Sequence, residues 1–582
     1  MMNKQEVTLI EPRKRKYLSQ EFVLTNWKSL EPFFEELTNR TIEGDKELEQ
    51  WVLDRSELEG YLEENLAWRY INYTRNTEDK QAKEAYLYFV QEIQPHIIPF
   101  SHKMDVKLVE SPYLEKLDPA QFHTYVREVK NQISLYREEN IPLLTRLSEE
   151  SQKYSEITGK MSVEINGKEY TMPQAGALLK EPDRNLRRQV YEKMTERRLA
   201  DKATLDELMN ELLKLRNEVA TNAGFSNYRD YKFRELGRFD YDAGDVFTFH
   251  DSIREEIVPI VAEMEKTRKE AMKLEKLKPY DLDVDPEGKA ALKPFKDADE
   301  LVAKTVECFN RIDPFLGNCI ATMRDMGYLD LESRKGKAPG GYNYPLDEIG
   351  VPFIFMNAAG TLRDLKVMVH EGGHAIHSFL TRDYELNFLK HVPSEVAELA
   401  SMSMELISME HWDLFFDNEE DLIRAKKDQL ENVLDMLPWI AIVDKFQHWL
   451  YLNPANTAEE RSREWLAILN EFSAQMVDWE GYEELRRNLW QRQLHIYEVP
   501  FYYIEYGMAQ LGAISVWKNF RENPEKGLRQ YLEALKLGYS RPLPEIYEAA
   551  GIRFDFSKSY IKALADFVRE ELAKLGGIRV DE

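Results

Sequence analysis

Cysteine is nearly missing from this chain: Cys308 and Cys319 are the only two in 582 residues. A secreted protein of this length held by disulfides usually carries more. Two reduced, partly buried thiols in a reducing compartment are therefore the expectation, although the spacing alone leaves one bridge open. Long apolar runs are missing too. No stretch approaches the roughly 18 apolar residues that cross a bilayer. No apolar segment follows Lys4, Arg13, Lys14, Arg15 and Lys16 near the start, as it would in a secretory signal. Positive charge is in deficit, with a formal net charge of -26. Such a surface repels nucleic acid and anionic lipid. A cytoplasmic protein without nucleic-acid or membrane partners follows as an expectation. Internal repeats and low-complexity tracts are absent as well.

What is present is ordinary globular composition, 43% hydrophobic and 31% charged, enough to bury a large core. Residues 183–222 show helical spacing through Leu205, Leu208, Leu212, Leu215 and Val219, with Ala223-Gly224 as the stop. Ile165-Asn166-Gly167-Lys168 signals a hairpin. Pro279, Pro286, Gly288 and Pro294 break the chain over 277–296. Residues 335–342 (Lys-Gly-Lys-Ala-Pro-Gly-Gly-Tyr) read as an irregular loop. The apolar run 351–357 follows, and Pro352 marks it as an edge strand or the first residues of a strand. Thr361 with Asp364 three residues on resembles a capping box, so a helix over 362–380 is expected.

That helix carries His370-Glu371-Gly372-Gly373-His374. Histidines four apart on a helix present both imidazoles on one face, within reach of one cation. Neutral imidazole suits zinc, and catalytic zinc takes three protein ligands and leaves a place for water. Glu371 is then placed to act as the base toward that water. The glycine pair costs about 0.8–1 kcal/mol per residue against alanine in a helix, which predicts close backbone packing there. His377 lies seven residues beyond His370, and three ligands on one straight helix would be strung over about 10 Å. It is read as structural or as support for a ligand.

The third ligand is sought on a following helix entered at Val392-Pro393-Ser394. Glu395 falls in its first turn, where an acid balances the helix dipole. Glu398 stands amid Ala397, Leu399, Ala400 and Met402, where an acid is costly unless paired or coordinated. Glu398 is preferred as the ligand. Glu405, seven residues on, is either an ordinary solvated acid or a group that orients a histidine. Near the C-terminus, residues 495–507 hold His495, Tyr497, Phe501, Tyr502, Tyr503 and Tyr506. They read either as an aromatic core layer or as a source of donors toward an oxyanion.

Taken together, several separated segments resemble the thimet oligopeptidase and oligoendopeptidase F family of zinc metallopeptidases, and most of all its bacterial oligoendopeptidase F branch. They are Leu215-Arg216-Asn217-Glu218 with Ala223-Gly224-Phe225, Lys278-Pro279-Tyr280-Asp281-Leu282, the loop 336–342, residues 357–377, Ala397-Glu398-Leu399-Ala400-Ser401 with Glu405, and residues 501–507. The resemblance implies one Zn2+ held by His370, His374 and Glu398, with Glu371 as base. Ser401 and Glu405 match the family's serine at +3 and glutamate at +7 from the glutamate ligand. Tyr503, Tyr506 and His495 would stabilise the transition state. Asn343 stands where the family often has a cysteine, which removes the basis for thiol dependence.

The implied fold is mainly α: two helical lobes around a deep channel, a zincin-type active-site helix, and one small β-sheet near the zinc. Residues 1–190 would form an N-terminal helical region and 191–582 the catalytic region. The implied activity is hydrolysis of internal bonds in short unstructured oligopeptides. A peptide strand is expected to add to the edge strand at 351–357. The rival readings are a dipeptidyl carboxypeptidase or carboxypeptidase on a similar fold, and a non-catalytic peptide-binding scaffold that keeps zinc for structure.

Overall fold

Helices dominate the chain, as the three- and four-residue apolar spacing requires. The computed structural model describes residues 10–578; Lys4, one of the basic residues near the start, lies outside them. The chain divides into two units, each assembled from separated stretches. The first takes residues up to 134, then 293–422 and 512–554; the second takes 135–292, 423–511 and the residues from 555 on. Among the described residues no helix is long and apolar enough to cross a membrane.

In the second unit, strands β1 (Ser162–Ile165) and β2 (Lys168–Thr171) pair antiparallel. Asn166 and Gly167 between them have φ of 54° and 77°, the left-handed pair that a tight hairpin turn requires. Val163 and Ile165 point into a core with Val190, Met194 and Tyr280. The helical stretch expected over 183–222 is two helices, Arg184–Ala200 and Lys202–Asn222. Asp183 caps the first by accepting from the Asn185 and Leu186 amides, and Asp201 breaks the run. Leu205, Leu208, Leu212, Leu215 and Val219 are all buried, as their spacing predicts.

The first unit has a core that includes Phe34, Leu48, Trp51 and Leu58. It also holds a three-stranded sheet in the order β3-β5-β4, formed by Leu329–Glu332 (β3), Tyr342–Tyr344 (β4) and Phe353–Ala358 (β5). β5 is parallel to β3 and antiparallel to β4. The expected edge strand is therefore the central one, and both its sides are already paired. Pro352 stands just before the first paired residue, where its missing N–H removes no ladder bond. A substrate strand cannot add at β5; β3 and β4 are the edges.

The loop before β4 is irregular but anchored. The Lys337 ammonium donates to the Asp330 carboxylate (2.8 Å), to the Asp330 and Glu332 carbonyls, and to the Met356 carbonyl. Asn357 Nδ2 donates to the carbonyls of Ala338 and Gly340 at 2.8 and 2.9 Å. Arg75 and Arg334 complete the ring of cations around Asp330. Burial opposes the Asp330 charge, but these three cations outweigh it and hold its carboxyl well below the usual range.

Cys308 and Cys319 are free and buried. Burial pushes the Cys308 thiol up to about 12 and the Cys319 thiol higher still.

Candidate metal centre and its surroundings

The motif helix spans Leu362–Thr381. Thr361 Oγ1 accepts from the Asp364 amide, and the Asp364 carboxylate accepts from the Thr361 amide, so the capping box is present. The next helix, Ser394–Ser408, packs across it. The glycine pair is what lets the two approach. A Cβ at Gly373 would lie 2.6 Å from the Ala400 carbonyl oxygen and the Ser401 Cα. At Gly372 it would lie 2.8 Å from the Phe309 ring. The helix gives up propensity at two positions and gains contact with a neighbouring backbone.

That contact brings Glu398 to the histidines. His370 Nε2 lies 3.4 Å and His374 Nε2 3.9 Å from Glu398 Oε2. One donor atom from each of His370, His374 and Glu398 lies within 4.8 Å of the other two. Ligands about 2.0–2.1 Å from a tetrahedral ion stand about 3.3 Å apart, so this donor set fits a zinc ion with little adjustment. Each of the three side chains also has a further hydrogen-bond partner. His370 Nδ1 meets Glu405 Oε1 at 2.7 Å, the imidazole of His374 bonds the Ala397 carbonyl, and Ser401 Oγ donates to Glu398 Oε2 at 3.0 Å. Partners of this kind fix ring orientation and raise ligand basicity.

The electrostatics match. Burial disfavours a charged His370, but Glu405, Glu398 and Glu371 outweigh it and push the imidazole up to about 10. Burial drives His374 well below its ordinary value, assisted by His370. Burial raises Glu398 and pushes Glu371 up to about 7, with His370 opposing. The three carboxylates around two imidazoles favour a cation among them.

Glu371 itself is buried and clamped at both ends by one residue of β4. The Asn343 amide N–H bonds its carboxylate, and Asn343 Nδ2 donates to its backbone carbonyl at 3.2 Å. In the sequence, Asn343 stands out only as a departure from a family pattern. Its contact depends on strand register, which no local signal carries. Tyr531 is a second residue that sequence reasoning missed; its hydroxyl donates to the Ala400 carbonyl at 2.7 Å, behind the helix contact.

His377 and Glu395 lie outside the donor set. His377 is buried, is pushed down to about 4 by that burial, and bonds the Leu535 backbone; it stands outside the donor set, as a structural residue. Glu395 occupies the first turn of its helix and is also outside the set.

His495, Tyr503 and Tyr506 come together in the second unit. The helix Tyr503–Glu522 begins at the first tyrosine. The His495 ring lies 4.6 Å from Tyr503 and 6.1 Å from Tyr506, and the two tyrosine rings are 5.6 Å apart. Burial raises the Tyr503 hydroxyl, so it stays a donor near neutral pH. Burial pushes His495 down to about 4, so its ring is neutral. Trp439 Nε1, a donor only, meets Gln493 Oε1 at 3.0 Å. Gln493 Nε2 must then donate to His495 Nδ1, 2.7 Å away, which leaves the His495 proton on Nε2.

The turn into this helix is strained. Phe501 has φ of 65°, at a cost of about 1–3 kcal/mol. Its amide donates to Gln447 Oε1 at 2.8 Å, and Arg238 donates to its carbonyl and to Glu505.

A family model described as peptidase family M3 matches residues 177–566, and one described as the peptidase M3 N-terminal domain matches residues 19–136. The chain belongs to peptidase family M3. Its similarity to an oligoendopeptidase F homolog from Borreliella burgdorferi is 23% identity over 65% of this chain and 63% of that protein. To oligopeptidase PepF of Bacillus subtilis it is 21% identity over 66% of this chain and 58% of that one. The matches thus span less than two thirds of these curated relatives. Among solved structures, PZ peptidase A with an inhibitor superposes with a TM-score of 0.87 at 28% identity, over 95% of this chain and 99% of the other. Oligoendopeptidase F from Enterococcus faecium shares the fold at a TM-score of 0.65 and 16% identity, over 94% and 97%. Membership in family M3 and the mainly helical fold with its small sheets agree with the resemblance read from the motifs.

Proposed function

We propose that this M3 chain is a zinc-dependent oligoendopeptidase acting on short unstructured peptides. The observation that carries the reading is the donor set of His370, His374 and Glu398 with the buried Glu371 carboxylate beside it. Those three residues would hold one Zn2+. When bound, the ion would supply Lewis acidity toward a scissile carbonyl and lower the pKa of a water.

The chain's own residues supply the rest. Glu371, set by Asn343 and close to neutral in its pKa, takes a proton from the attacking water and returns it to the departing amine. Glu405, Ala397 and Ser401 keep the ligands oriented. Tyr503 and Tyr506, with the Nε2 proton of His495, donate to the oxyanion. β4, as an edge strand of the sheet, offers its backbone to an extended peptide, and Asn343 within it touches Glu371.

The test is digestion of a peptide library of graded lengths with and without chelator, read by mass spectrometry. Internal cuts that survive C-terminal amidation, stop with chelator and return with zinc are expected. Glu371→Gln should lower kcat by at least about 100-fold while zinc content stays near one per chain. Undiminished hydrolysis by a zinc-loaded Glu371→Gln protein would sink the mechanism. Cleavage confined to free C-termini would instead favour the carboxypeptidase reading.

A further inference from the structure

Among the described residues, Asn166, Lys273, Gln475 and Phe501 are the non-glycine residues with positive φ. The first three are exposed. Phe501 is fully buried and carries a bulky ring, a combination the left-handed region disfavours. Such a conformation persists only where the surroundings over-determine it. Here they do so from both sides of the residue. Its amide donates to Gln447 Oε1 at 2.8 Å, and its carbonyl accepts from Arg238. The same Arg238 nitrogen donates to Glu505 Oε1 at 2.9 Å, in the first turn of the helix that follows. Arg238, Gln447 and Glu505 are all buried, and the Arg238 guanidinium lies 4.5 Å from the centroid of the Phe233 ring. The Phe501 ring meets the rings of His448 and Tyr451 at 5.2 and 5.3 Å. Both belong to the helix Glu419–Leu452, which also supplies Gln447.

A helix can begin without such a turn, and glycine at 501 would take the same φ without strain. What the arrangement fixes is the origin of the helix Tyr503–Glu522, two residues beyond Phe501. It thereby fixes the direction in which Tyr503 and Tyr506 leave that helix. The upstream part of the same segment is held in a similar manner. Buried Arg216 donates to the carbonyls of Ile496 and Tyr497, in the helix Leu494–Glu498 that carries His495. It also donates to the Tyr451 hydroxyl at 2.8 Å. Donors to an oxyanion act by being in place before the charge develops. A displacement of about 1 Å at such a group can cost about 100-fold in rate.

We propose that Arg238 and Gln447 are positioning residues: by holding the strained turn at Phe501 they aim the Tyr503 and Tyr506 hydroxyls at the oxyanion. The proposal rests on the peptidase reading and deepens it, because it names residues that act on the reaction only through the tyrosines.

The test uses the full-length zinc-loaded protein. Gln447→Met keeps an unbranched side chain of similar length and removes the acceptor for the Phe501 amide. It should lower kcat by about 10- to 100-fold while KM stays within about twofold of wild type. It should also weaken inhibition by a phosphinic peptide, whose tetrahedral anionic centre resembles the transition state, by a similar factor. In a Tyr503→Phe, Tyr506→Phe background the same substitution should change the Ki of that inhibitor by less than about twofold, because the groups it aims are gone. A merely structural role would lower the melting temperature in both backgrounds and leave kcat per folded molecule unchanged. That result overturns the proposal, as does an equal effect on Ki in both backgrounds. Should Gln447→Met fail to fold, Arg238→Lys is read in its place, since lysine lacks the guanidinium fork. A wild-type protein that cuts no peptide would overturn the peptidase reading and this proposal with it. An active wild type with unchanged kcat in the variant overturns this proposal alone.

Discussion

Single side chains in the metal centre do separable jobs. Glu405 holds His370 Nδ1 at 2.7 Å and, under the proposed function, would decide which ring nitrogen faces a cation. Glu405→Ala should weaken zinc affinity by about 10–100-fold with little change in fold, as measured by competition with a chromogenic chelator. Unchanged affinity would reduce Glu405 to a surface acid. That Glu405 and Glu398 both face His370 is legible because they sit on one helix at a seven-residue spacing, and helical geometry turns that spacing into a shared face. Asn343 was not legible in the same way. Its grip on Glu371 depends on the pairing of Asn343 with Ile354 across the sheet, which local pattern does not encode.

At the scale of elements, the glycine pair sets how close two helices come. Gly373→Ala gains about 1 kcal/mol of helix propensity. Against that, its Cβ would meet the Ala400 and Ser401 backbone at 2.6 Å, and overpacking of this kind costs about 1–3 kcal/mol or more where neither partner can rotate away. The second effect should win, with a lowered melting temperature and weakened zinc binding. A melting temperature that rises would show that the helices can part without harm.

The sheet illustrates the limit of reading elements one at a time. The apolar run and its length identify a strand, and its proline points to an edge or to a strand's first residues. Its place in the middle depends on β3, which begins more than twenty residues upstream. The same sheet predicts a pH effect. The Asp330 carboxyl is depressed in the folded state, so its stabilising contribution is present above the unfolded value near about 3.9 and is lost as pH falls below it. Lys337, whose side chain is fully buried, depends on that charge. Asp330→Asn should therefore cost about 3 kcal/mol near neutral pH, with the difference from wild type shrinking in denaturant melts below about pH 4. A cost independent of pH down to acid would mean that the carboxylate is not charged there.

For the molecule as a whole, the motif segments carried family and fold class, since each of them is short and local. The division into two units is another matter. Each unit is woven from three stretches, and two of the crossings, at 422/423 and 511/512, fall inside the helices Glu419–Leu452 and Tyr503–Glu522. No linker composition marks a boundary that runs through regular helix.

The two cysteines bear on the whole molecule as well, because reactivity belongs to the thiolate and both thiols are buried with strongly raised pKa values. Native protein treated with iodoacetamide near neutral pH should retain full peptide hydrolysis and take up no label, whereas unfolded protein should take up two. Rapid inactivation would contradict this. The practical consequence is a clean background for spectroscopy. A cysteine introduced at any exposed position becomes the only thiol that a maleimide dye or spin label can find, so probes can be placed one at a time without first stripping the natural residues from the core.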